Sequence, residues 1–156
     1  MDSNGKALSA QTGHVGINVS DLERSSRFYQ DVLGFRVSNE SHDGRGRRFV
    51  FLSDGSGRLV LTLWEQSDGR FEKSRPGLHH LSFHVSTIEE VREAEARVRA
   101  AGAHVYYGGV VSHAEGADSG GIFFEDPDGI RLEIFSPSGA KGLAAPAGEA
   151  PSCGFF

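Results

Sequence analysis

His14-Val15-Gly16-Ile17-Asn18-Val19-Ser20 and His80-Leu81-Ser82-Phe83-His84-Val85-Ser86 are two copies of one pattern. Laid over each other, they coincide at the opening histidine, at the apolar residues in the fourth and sixth places and at the closing serine. Alternation of polar with apolar residues predicts a strand in each copy. His14, Gly16 and Asn18 then share one face, and His80, Ser82 and His84 share the matching face of the second strand. His79 falls on the reverse side. A third segment, Asp126-Pro127-Asp128-Gly129-Ile130-Arg131-Leu132-Glu133-Ile134-Phe135, reads as a tight turn feeding a strand that carries Arg131, Glu133 and Phe135 on one side. Two imidazoles and one carboxylate from three strands are the minimal protein set that holds a divalent metal with coordination sites left open. His14, His80 and Glu133 are therefore the candidate metal ligands.

Working outward, each histidine strand is followed by a helical pattern. Ser20 reads as an N-cap, with Glu23 three places on completing a capping box. Leu22, Phe28, Tyr29, Val32 and Leu33 form an apolar stripe that stops at Gly34. In the second half Ser86 or Thr87 caps a helix whose apolar face is Ile88, Val91, Ala94, Val98 and Ala101, with Gly102 ending it. Strand-like segments at about 35–41, 47–53 and 58–65 follow the first helix, and others near 103–111, 120–125 and 130–135 follow the second. His80 lies 66 residues after His14, Gly102 lies 68 after Gly34 and Gly129 lies 72 after Gly57. An offset this steady argues for internal duplication. The predicted fold is α+β, two tandem β-α-β-β-β modules over about 14–65 and 78–137 within a single domain, 14–137. Residues 1–13 read as a flexible lead. Residues 138–156 read as a Gly/Ala/Pro tail, and its end, Cys153-Gly154-Phe155-Phe156, is expected to dock on the domain or on a partner subunit.

With 156 residues the chain has length for one well-buried domain. A net charge of −5 with mixed signs offers no basic patch for nucleic acid. The absence of an apolar signal core and of a membrane-length apolar run predicts a cytoplasmic protein without membrane contact. The single cysteine, Cys153, excludes an internal disulfide framework.

The paired modules, a histidine opening the first strand of each, "FYQDVLGF" at the end of the first helix and "DPDGIRLEIF" near the end resemble the vicinal oxygen chelate superfamily over residues 12–137. That superfamily includes glyoxalase I, fosfomycin-resistance transferases, bleomycin-resistance proteins, methylmalonyl-CoA epimerases and type I extradiol dioxygenases. The resemblance implies sheets that curl around a central metal-binding cavity, with the ligands on their inner faces. It also implies a homodimer, in some members with each site built from two chains. Glyoxalase I and the epimerases use a fourth ligand, a Glu on the last strand of the first half. Counting four residues on from Gly57, as Glu133 is four on from Gly129, places Leu61 there. Three ligands then remain.

Three ligands, together with an aromatic-rich interior, favour an Fe(II) extradiol dioxygenase acting on a catechol-type aromatic and O₂. Alternatives are a metal-dependent lyase, isomerase or fosfomycin-type thiol transferase using Mn, Ni or Zn, and a non-enzymatic protein that sequesters an aromatic antibiotic. Arg45, Arg47 and Arg48 sit in a Gly-rich hairpin and read as a solvated turn rather than an anion clamp. For acid–base work the first candidate is His84, on the His80 face, and the second is His113, near which the resemblance places a catalytic histidine. Tyr106 or Tyr107 stands behind them, with Tyr106 also a substrate-binding candidate. Asn18, Phe123 and Phe135 are the remaining candidates for substrate contact.

Overall fold

In the computed structural model, which describes residues 8–146 and 152–154, the two alternating segments are strands. The first module runs β1 (Val15–Val19), α1 (Leu22–Leu33), β2 (Arg36–His42), β3 (Arg48–Ser53) and β4 (Leu59–Glu65). The second runs β5 (Leu81–His84), α2 (Ile88–Ala100), β6 (Val111–Ser112), β7 (Gly120–Glu125) and β8 (Arg131–Ser136). Each module carries its own four-stranded sheet, ordered β1-β4-β3-β2 and β5-β8-β7-β6. In both, the first and last strands lie parallel and the remaining pairs are antiparallel. Among the described residues no strand of one sheet pairs with the other, so the architecture is α+β with two open sheets.

The duplication reaches into the turns. Asp54 precedes β4 as Asp126 precedes β8, and each carboxylate accepts two backbone amides of its own turn, from Ser56 and Arg58 (2.9 and 3.1 Å) and from Asp128 and Ile130 (2.9 and 2.8 Å). The fourth turn residue must take a left-handed backbone, which glycine supplies at Gly57 (φ 85°) and Gly129 (φ 86°).

Both helices form where the stripe is, and they bury it. Leu22, Phe28, Tyr29 and Val32 of α1 and Ile88, Val91, Ala94 and Val98 of α2 join Ile17, Val19, Leu61, Leu63, Ile122 and Leu132 in a single core spanning both modules. Thr87 caps α2 through a complete capping box with Glu90. At α1 the expected cap moves by one residue. Asp21 is the N-cap, its carboxylate accepting the Arg24 amide at 2.9 Å, and the Leu22 amide is taken by Glu65 at 2.8 Å. Ser20 is drawn away by the other module, where its amide donates to Asp128 (2.8 Å). Glu23 pairs with Arg48 instead of closing a box.

Those contacts belong to a bolt between modules. Asp128 also accepts from Arg24 (2.7 Å), and the buried Tyr29 hydroxyl donates to Asp126 (2.9 Å). Phe28 meets Phe124, and Phe35 meets Phe83, across the same junction.

A second correction concerns 103–111. Only Val105 bridges to Phe124 there; Tyr106–Gly108 form a 3-10 turn, and β6 is reduced to Val111–Ser112. Tyr107, Gly108 and Gly109 all have positive φ, which an extended strand does not accommodate. Ser152–Gly154 form a further 3-10 turn, whereas Phe155 and Phe156 lie outside the described residues. No helix among the described residues is long and apolar enough to cross a membrane.

Candidate functional site

Glu133 lies on the central strand of the second sheet, and register decides what surrounds it. Ser82 of β5 is its partner on one side and Phe123 of β7 on the other. His84 pairs with Phe135 one pleat further along. His80, Ser82, His84, Phe123, Glu133 and Phe135 thus share one face, with the helix and core on the reverse. The sheet is tight here: a Cβ at Gly121 would stand 2.5 Å from the Ile134 carbonyl oxygen and 3.0 Å from the Phe135 Cβ.

Glu133 is 4% exposed and its carboxylate is bracketed by imidazoles. His113 Nε2 lies 2.7 Å from Oε1, and His80 Nε2 lies 3.5 Å from Oε2. An ionised carboxylate only accepts, so His113 donates through Nε2, leaving Nδ1 to face the Ser119 hydroxyl at 2.9 Å. Burial pushes the Glu133 carboxyl upward, but hydrogen bonds from His113 and Ser82 and the nearby imidazoles outweigh it and hold it below its usual value. A buried, ionised carboxylate between two imidazoles is suited to holding a cation.

His113 reaches this place from the loop after β6, where the Ser112 hydroxyl donates to the Ala114 and Ala117 carbonyls (2.7 and 3.0 Å). The His79 and His80 rings also touch, Nδ1 to Nδ1 at 2.8 Å. His84 is exposed, its ring 5.4 Å from that of Phe135. Phe135 also meets the His113 ring at 5.5 Å. Tyr106 stands at one end of this face in a polar network, bonded to Lys73 (2.7 Å) and to Glu125, which Lys73 and Arg70 also engage.

The first module places its candidates elsewhere. His14 is exposed ahead of β1 and lines a cleft of about 890 Å³ between the modules, together with Arg58, Ser82, Phe83 and His84. Asn18 is exposed and accepts from Gln66 at 2.7 Å. Among the described residues no group of three or more His, Cys, Asp or Glu is placed to hold a metal ion. Within one chain, then, His80, His113 and Glu133 come together and His14 stands apart.

The register also corrects the count for the fourth ligand. Gly16 pairs with Thr62 as Ser82 pairs with Glu133, so Thr62 occupies the equivalent place, while Leu61 points into the core and is fully buried. A bulge in β4 before Leu61 inserts one residue that β8 lacks. Thr62 supplies a hydroxyl, which accepts from Trp64 at 3.1 Å, so no carboxylate stands there either way.

Ser82 was within reach of sequence reasoning, since it shares the His80 face. Ser119 was not, because an irregular loop delivers it, and Tyr107, expected as a reserve acid–base group, bonds the Ser152 carbonyl instead. The hairpin arginines are engaged by acids: Arg47 by Asp43 at 2.6 Å, and Arg48 by Glu23 and Glu40.

The family model for the glyoxalase/bleomycin resistance protein/dioxygenase superfamily matches residues 11–134. Lactoylglutathione lyase of Haemophilus influenzae is 31% identical over 136 residues, covering 82% of this chain and 93% of that protein. Catechol-2,3-dioxygenase of Bacillus subtilis is 29% identical over 126 residues, covering 80% of this chain but only 40% of that protein. Among solved structures, a glyoxylase/bleomycin resistance protein/dioxygenase domain from Frankia sp. EAN1pec superposes with a TM-score of 0.70 at 28% identity, covering 83% of this chain and 98% of that one. Paired modules, a histidine opening each and a glutamate on the last strand agree with the model match over most of the chain, which belongs to the glyoxalase/bleomycin resistance protein/dioxygenase superfamily.

Proposed function

We propose that this chain is a metal-dependent enzyme, an Fe(II) extradiol dioxygenase acting on a catechol-type aromatic. The observation that carries the reading is Glu133, a carboxylate nearly sealed from water yet held ionised between imidazoles. In the proposed site Glu133 and His80 of one chain are joined by His14 of a second copy, which makes the working form a homodimer. A bound divalent ion would activate a chelating diol and O₂. The chain's own residues do the rest. His113 and Ser82 would fix the carboxylate, Phe123 and Phe135 would offer flat apolar contact to a ring, and exposed His84 would take the diol proton.

Isomerase chemistry is the second reading, supported by the near full-length similarity to lactoylglutathione lyase. Thr62 at the fourth-ligand place weighs against it. A phosphonate-binding transferase is disfavoured because Arg47 and Arg48 are already engaged by carboxylates.

Elemental analysis, followed by anaerobic Fe(II) loading and O₂ uptake with a panel of catechols, tests the proposal. Oxygen consumption with a new yellow chromophore is the expected result. Stoichiometric Ni, Zn or Mn without oxygen uptake would move the assignment to the isomerase, lyase or transferase branch. A protein that takes up no metal would leave the binding role.

A further inference from the structure

The 3-10 turn Ser152–Gly154 lies against the face that carries Glu133. Nearby, the residues after β8 meet the open edge of β6, where the Ser112 amide donates to the Ala144 carbonyl (3.1 Å). The Ser152 amide donates to the carbonyl of His113 (2.9 Å), and the Tyr107 hydroxyl donates to the carbonyl of Ser152 (2.8 Å). Ser152 is 1% exposed, and Cys153 packs against the cluster of Val111 and Phe123.

Tyr107 bears the conformational cost of this arrangement. It is the sole non-glycine among the described residues with a left-handed backbone (φ 58°), a state that persists only where surrounding contacts impose it. Its hydroxyl on Ser152 and its ring edge-on to Phe123, 5.6 Å between centroids, are such contacts. Phe123 is fully buried and Glu133 nearly so, although a ligand at this face must touch both. Ser82 and His84, further along the same face, stay exposed, so the strap covers the Phe123 end of that face.

We propose that Ser152–Gly154 is an autoinhibitory strap: it closes the Glu133 pocket in the resting chain and lifts to admit a ligand. The proposal rests on the reading of Glu133 as the functional centre. A pocket open only part of the time binds its ligand more weakly in proportion to the closed fraction.

Cys153 is the single cysteine, so its reaction with a disulfide reagent reports on the strap alone. In the full chain the thiol should react slowly compared with the same chain in urea. Tyr107→Phe keeps the ring and removes the bond to Ser152; Ser152→Pro removes the amide that holds His113. Either variant should react at least about tenfold faster, as expected for loss of one buried hydrogen bond. Native reactivity equal to that in urea, or two variants no faster than the parent, would overturn the strap. A second arm measures 4-nitrocatechol binding to the Mn(II)-loaded protein, where Ser152→Pro should tighten Kd about tenfold. Unchanged affinity in a protein that does bind the probe would overturn the gating. Failure of every form to bind it would count against the catechol reading, and the labelling arm would still decide the strap.

Discussion

At the scale of single residues, Glu133 and His113 differ in what they are worth. In the proposed site Glu133 would be the anionic donor, so Glu133→Ala should abolish metal content. In that site His113 would only orient it, so His113→Asn should weaken metal affinity by about 10–100-fold without removing binding. Titration with Mn(II) or Co(II) separates the two, and equal losses would show His113 to be a ligand itself. Asp126 makes a different prediction. Burial pushes its carboxyl up to about 6, only partly offset by hydrogen bonds from its own turn and from Tyr29. The folded state thus holds this proton more tightly than the unfolded chain, whose value is near 3.8. Its contribution to stability is fully present below about pH 4 and is lost as pH rises through about 6. Asp126→Asn mimics the protonated form, so the gap between variant and parent in urea unfolding should widen in the variant's favour between pH 4 and 7, by about 1–3 kcal/mol. A gap constant across that window would show that Asp126 does not titrate there. The face that carries Glu133 was legible from strand parity; the groups around its carboxylate were half legible, Ser82 through the face it shares with His80 but Ser119 hidden in a loop.

At the scale of elements, periodicity located both helices and all but one of the strands, because apolar stripes and alternation are local properties. What it missed was tertiary. The sequence Ser20-Asp21-Leu22-Glu23 offers two capping residues in a row, and the choice is made by Asp128 on the other module, which captures Ser20. Likewise the β4 bulge, invisible without the partner strand, displaced the fourth-ligand position from Thr62 to Leu61. The caps now predict a contrast. Asp21→Ala and Thr87→Ala should each cost about 1 kcal/mol of stability, with the urea m-value unchanged. Ser20→Ala should leave the α1 cap intact, which the exchange protection of the α1 first-turn amides reads directly. Loss of that protection in Ser20→Ala would return the cap to Ser20.

At the scale of the whole molecule, the two modules are bolted through their helices and turns, and both polar sheet faces are left on the sides away from the shared core. The first module's face is built for cover. Phe49, Phe51 and Trp64 stack on it with centroids 5.2 and 4.8 Å apart, beside exposed Gly16 and Asn18. His14 belongs to that face and Glu133 to the other, and among the described residues of one chain no three donors are placed to hold a metal ion. If two copies lay the first face of each over the second face of its partner, both sites are completed at once, as a two-fold assembly requires. Mixing of inactive chains tests this. His14→Ala homodimers and Glu133→Ala homodimers should each hold no tightly bound metal. Co-expressed chains pair at random, half of the dimers are mixed, and a mixed dimer has one site intact and one doubly broken. Metal content and oxygen uptake should therefore return to about a quarter of the parent value. Recovery at that level can arise only if His14 and Glu133 act across chains. No recovery, in dimers shown by mass to be mixed, would place both residues in the site of one chain and require the modules to rearrange around the metal.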